Sequence, residues 1–132
     1  NKVKLSNPKK LVDMNSFLPL DGESRVEILY AGTELIINVF FEIGDGASDE
    51  KKTFRFKKAK YFYKLPFPGY SPFSCSSDEG IELLNCLVEY GYSEMVDIDK
   101  ERYGISGYAH YRLFFHSIGV AVYVIAKSFS LE

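Results

Sequence analysis

A chain of 132 residues is the length of one domain built around one core. With 26% charged residues and a net charge of −2 it is not built as a general polyanion binder, and no run reaches the roughly 18 apolar residues of a membrane span. The 16% aromatic share, eleven Phe and ten Tyr without Trp, favours sheet, because such side chains fit a pleated, half-buried surface.

Residues 1–24 mix Lys, Asn, Pro and Ser with the apolar clusters Leu11-Val12 and Phe17-Leu18-Pro19-Leu20. They read as an arm docked on the sheet through Phe17 and Leu18. The start lacks the apolar region of a signal peptide, and a first residue of Asn points to removal of an initial segment. Asp21-Gly22-Glu23-Ser24 is a turn signal.

RVEILYAGTELIINVFFEIGDG predicts a hairpin. Val26, Ile28 and Tyr30 alternate with Arg25, Glu27 and Leu29, and Ala31-Gly32 supplies the reversal. Leu35 to Phe41 is apolar on both sides and reads as a central strand. GDGASDE (44–50) reads as a loop.

KKTFRFKKAKYFYK (51–64) holds seven basic residues, five Phe or Tyr and no acid. Phe54 and Phe56 share one face among Lys51, Lys52, Arg55 and Lys57. After Lys57-Lys58 the parity slips, so that Ala59, Tyr61 and Tyr63 alternate with Lys60, Phe62 and Lys64. A bulge or a break between two strands produces such a slip. Basic residues among aromatics also suit nucleic acid, but the run lacks the glycine of an RNA-recognition core. It reads as a strand whose lysine stems lie along the sheet.

LPFPGYSPFSCSSDEG (65–80), with three prolines, is a loop or sheet-edge segment. IELLNCLVEY (81–90) fits a helix started by Ser77 or a buried strand, and 93–107 is a polar connection. YAHYRLFFHS (108–117), a turn at Ile118-Gly119 and VAVYVIAKSFS (120–130) predict a second hairpin. Its last arm is too apolar for a sheet edge. The closing Leu131-Glu132 is assigned no function.

No nucleophile elbow, glycine-rich phosphate loop or paired-cysteine zinc spacing occurs, so no catalytic residue, metal or cofactor is assigned. Asp97, Asp99 and Glu101 have the spacing of calcium-loop ligands. Arg102 and Tyr108 then occupy the positions that need Gly and Glu. Asp45, Asp49 and Glu50 lack ligand spacing. His110 and His116 on one strand lie roughly 20 Å apart, too far for one metal. Cys75 lies in a loop and Cys86 in an apolar run that suggests core packing. Two cysteines make no disulfide framework, and a cytoplasmic setting follows as the simplest reading.

Three groups remain as candidate sites. Tyr61, Tyr63, Phe67, Tyr70 and Phe73 form an aromatic patch for a protein, peptide or sugar, or are buried by the loop that covers the sheet edge. Tyr108, His110 and Arg112 form a polar cluster. Glu94, Asp97, Asp99 and Glu101 offer a basic partner an acidic surface. Residues 67–132 hold nine Asp or Glu against four Lys or Arg (−5), and residues 1–66 nine against twelve (+3).

NCLVEYGYSEMV followed by GYAHYRLFFHSIGVAVYVIAKSF resembles the C-terminal half of small uncharacterised bacterial proteins. ELIINVFFEI with KKTFRFKKAKYF resembles sheet segments of small β-rich proteins, among them some toxin-immunity proteins. The resemblance spans residues 25–130 and contains no catalytic motif. It implies a mainly β fold, a strand over 81–90 and a cytoplasmic role without enzymatic activity.

The combined expectation is a single, mainly β domain over 1–132, an antiparallel β-sandwich or a strongly bent sheet. It has six to eight strands and at most one or two short helices. The expected function is a soluble intracellular protein-interaction domain without catalytic activity, of immunity type. The alternatives are a small-ligand or carbohydrate-binding β module using the aromatic patch, and an enzyme working around Tyr108, His110 and Arg112. The expected partner is another protein, without a membrane or nucleic acid, and a homodimer is compatible with unused sheet edges.

Overall fold

Period-two alternation resolves into ten strands in the computed structural model, which describes residues 1–44, 48–75 and 81–132, leaving aside the side chains of Ser48 and Ile81. The roles expected of Asp45 and Ser77 lie outside the described residues. In chain order the elements are β1 (Val3–Asp13), β2 (Arg25–Ala31), β3 (Glu34–Ile43), β4 (Ser48–Lys57), β5 (Tyr61–Pro66), β6 (Phe73–Ser74), β7 (Cys86–Ser93), α1 (Glu94–Tyr103), β8 (Ala109–Phe115), β9 (Val120–Ala126) and β10 (Ser128–Leu131). Among the described residues strands predominate and there is one α-helix, a mainly β fold. Among the described residues no helix is long and apolar enough to cross a membrane.

Six strands order as β5-β9-β8-β7-β1-β6 and four as β10-β4-β3-β2. All pairings are antiparallel except β1 with β6. The sheets meet through an inner core to which β3 gives Leu35, Ile37 and Val39, β4 gives Phe54 and Phe56, β8 gives Tyr111, Leu113 and Phe115, and β9 gives Val122 and Val124. Burial there, with a smaller push from Glu89, raises the Tyr111 hydroxyl to about 12. The opposite faces of β7, β8 and β9 carry an outer core containing Val88, Tyr90, Phe114, Ala121 and Tyr123. So β8 and β9 are buried on both sides, which is why their sequences run almost continuously apolar.

The first hairpin forms as expected. The second forms over β8 and β9, but its expected arm (120–130) breaks at Lys127, where β10 joins the other sheet. Among the described residues, ten strands replace the six to eight expected. Two further segments depart from expectation and two left open are settled. The arm is strand β1, inserted between β7 and β6, although Phe17 and Leu18 do pack on the inner core. Asp49 and Glu50 extend β4, paired with Glu42 and Phe41, and are not loop residues. Residues 81–90 divide into a 3-10 turn (Ile81–Leu83) and the start of β7. The polar connection holds α1, with Ser93 accepting from the Val96 N–H at its start and Gly104 at φ +67° at its end.

The parity slip after Lys57 is a change of sheet. Lys58 takes φ +53°, Ala59 donates to the Thr33 carbonyl, and Lys60 donates to that of Ile125. At the same corner β9 passes into β10, where Lys127 donates its N–H to the Lys57 carbonyl. Leu131 and Glu132 belong to this ladder, since Glu132 and Thr53 exchange both main-chain hydrogen bonds.

Gly22, at φ +76°, lies against the β8–β9 turn, where Ser117 Oγ donates to the Asp21 carbonyl and Glu23 accepts from the Ile118 N–H. A Cβ at Gly22 would fall 2.3 Å from Ser117 Oγ. Gly22→Ala is expected to cost about 2 kcal/mol in urea unfolding, from left-handed strain plus a displaced hydroxyl. Adding Ser117→Ala should recover only the steric part. If Gly22→Ala alone unfolds like the parent, this contact is refuted.

Candidate functional site

Antiparallel pairing writes three rows across the outer face of the six-stranded sheet. Leu65, Ala121 and Phe114 form the first, Tyr63, Tyr123 and Arg112 the second, and Tyr61, Ile125 and His110 the third. The segment 67–75 folds over the first two rows as a strap. Its Phe67 stacks on Phe114 with centroids 4.1 Å apart and planes 12° apart, and its Phe73 stacks on Tyr123 at 4.3 Å and 25°. Ala121, with only a methyl group, leaves room beside these two stacked pairs. The result is a crevice of about 120 Å³, lined by all four rings, Leu65 and Ala121 among others.

The expected aromatic patch therefore divides. Phe67 and Phe73 are crevice walls, and Phe73 is 6% exposed. Tyr61 and Tyr63 remain on β5, 38% and 37% exposed, and between them Phe62 is 39% exposed. Phe62 meets Tyr30 of β2 with centroids 5.3 Å apart. Tyr70 lies outside both groups, largely exposed, under the Lys2 ammonium. β5 is an edge strand, paired only with β9 among the described residues.

The polar cluster of Tyr108, His110 and Arg112 is not assembled. Tyr108 packs under the ammonium groups of Lys60 and Lys127, at 4.1 and 5.5 Å. His110 is buried, with Nδ1 2.7 Å from Ser93 Oγ. Ser93 Oγ also accepts from the Val96 N–H, so one hydroxyl joins the helix start to the imidazole. The rings of Phe73 and Tyr90 pack perpendicular to the imidazole, and burial lowers His110 to about 3. A neutral histidine that links a helix cap to β8 is a structural part. Arg112 is fully buried, its Nη1 donating to the carbonyls of Leu83 at 2.8 Å and Cys86 at 3.3 Å, with the guanidinium 4.0 Å above the Phe114 ring. It fastens the turn before β7.

The four acids do not present one surface either. Asp99 is buried and paired with Lys60, and Glu94 accepts from the Lys4 N–H. Asp97 is partly buried, which leaves Glu101 as the exposed member. These residues are helical, so their calcium-like spacing reflects no loop. Neither cysteine forms a disulfide. Cys86 donates to the Glu82 carbonyl, and burial, then Asp13, pushes its thiol up, away from nucleophilic chemistry.

Sequence reading missed Phe62 as an exposed residue and Phe114, Ala121 and Tyr123 as crevice walls. Phe62 carried a signal, since the slipped parity set it on the lysine side. Compared with protein-family models, curated proteins and solved structures, the chain matches none.

Proposed function

We propose that this chain is a protein-interaction domain that acts by surface complementarity, of the immunity type its sequence resembles, and that β5 is its docking edge. One observation carries the reading: a sheet-edge strand presents three successive aromatic residues, each more than a third exposed. An unpaired edge offers main-chain donors and acceptors to an extended segment, and Tyr and Phe add contact area with few rotors. Lys58 and Lys64 are exposed beside them, whereas Lys60 is held by Asp99. The partner this charge suits is acidic, which moves the electrostatic argument from α1 to β5. Such steering makes association fast at low salt and slower at high salt.

The test is capture with a photo-crosslinking residue at Phe62, at low and high salt. Phe62→Asp with Lys64→Glu should weaken the captured complex about thirtyfold, the scale of losing a hot-spot aromatic. Tyr103→Asp, at an exposed aromatic of α1, should leave it unchanged. For an immunity role, co-expression should relieve toxicity of the captured protein. A crosslink to a second copy would replace this reading with self-association through β5. Equal capture by the β5 variant would refute it.

A further inference from the structure

We infer that the crevice over Ala121 is a binding site for a small, neutral, ring-shaped ligand that carries a hydrogen-bond donor. This is independent of the β5 reading. Three observations set the chemistry. The first is size: an apolar protein cavity of about 150 Å³ accepts benzene, and this crevice measures about 120 Å³ and is open to solvent, so one ring can enter with its polar edge outside.

The second is shape. The walls are two stacked ring pairs, Phe67 on Phe114 and Phe73 on Tyr123, with Phe114 and Tyr123 inclined at 75° to each other. A flat guest can therefore lie along one ring and meet the edge of another, the two arrangements aromatic pairs favour. A puckered ring matches neither.

The third is charge. Among the described lining residues there is no Lys, Arg, Asp, Glu or His. A carboxylate or phosphate would lose its hydration there with nothing to replace it. The strap also contributes Pro66 and Pro68, which have carbonyl acceptors and no N–H, so the main chain there is richer in acceptors than donors. Ser71 Oγ already accepts from the Phe73 N–H. A phenol O–H or an indole N–H suits a mouth where proline carbonyls add acceptors without donors.

The experiment is an NMR titration of the isotope-labelled chain with indole, phenol, cyclohexanol and benzoate. Indole and phenol should shift the amides of Gly69, Phe73 and Ala121 saturably, with Kd on the order of 1 mM or tighter, the range set by ligand efficiency for so few atoms. Nuclear Overhauser contacts should join their ring protons to Phe114 and Tyr123. Cyclohexanol and benzoate should bind at least about tenfold more weakly. Ala121→Leu fills the floor and should abolish the indole shifts; should that variant fail to fold, the contacts in the parent chain decide. Shifts that do not saturate, or contacts to other residues, overturn the site. Equal binding of cyclohexanol overturns recognition of a flat ring, and equal binding of benzoate overturns the preference for a neutral one.

Discussion

Arg112→Ala is expected to lower the unfolding free energy by about 4 kcal/mol, the largest effect of any single polar substitution considered. Arg112 is fully buried, and its Nη1 donates to the Leu83 and Cys86 carbonyls. Truncation leaves those acceptors without that donor, at about 1–3 kcal/mol each, and opens a cavity beside Phe114. Arg112→Met restores volume without donors and should recover only the cavity part. Arg112→Lys keeps one donor group but loses the planar guanidinium held over Phe114, so it should fall between parent and Met. Urea unfolding of the three variants measures this. Met unfolding at the parent's midpoint would show that the two hydrogen bonds contribute nothing.

His110 makes the fold acid-sensitive. Burial holds its folded value near 3, against about 6.5 for an exposed imidazole. The unfolded chain therefore binds a proton that the folded chain refuses. Stability is complete above pH 6.5 and falls as the pH drops from there toward 3. Each pH unit in that window costs about 1.4 kcal/mol, so about 3 kcal/mol is gone by pH 4.5. Carboxylates add their own slope, so the comparison that isolates His110 is with His110→Asn, which offers Ser93 a partner but does not titrate. The parent should lose about 3 kcal/mol more than the variant between pH 7 and 4.5 in urea titrations. Parallel pH profiles would place the imidazole in contact with water and refute its role as a neutral link between the α1 cap and β8.

Much of the sheet was legible because alternation is a property of neighbours. Phe54 and Phe56 among Lys and Arg predicted one dry face, and the apolar arm 120–130 predicted an interior strand, which holds for Val120–Ala126 and not for the residues beyond. β1 was not legible, since Pro8 and the surrounding Lys and Asn carry no alternation; β7 pairs along most of its length and supplies the ladder its own residues do not announce. The caps of α1, Ser93 and Gly104, stood in the sequence, but the weak apolar pattern between them gave no face to trust. The acidic candidates were misjudged for a related reason. Asp99 is buried against Lys60, a partner far away in the chain that no local pattern announces.

Composition and local period determined the fold class, the dry and wet faces of most strands, and the absence of any recognisable reactive motif. Tertiary pairing decided everything that depends on register between distant strands. It set Ala121 between Leu65 and Phe114, left β5 at the edge, and gave Tyr108 and His110 different neighbours. Register cannot be read from one segment, because which residues share a row is settled by the partner strand and by the rings that must fit over it.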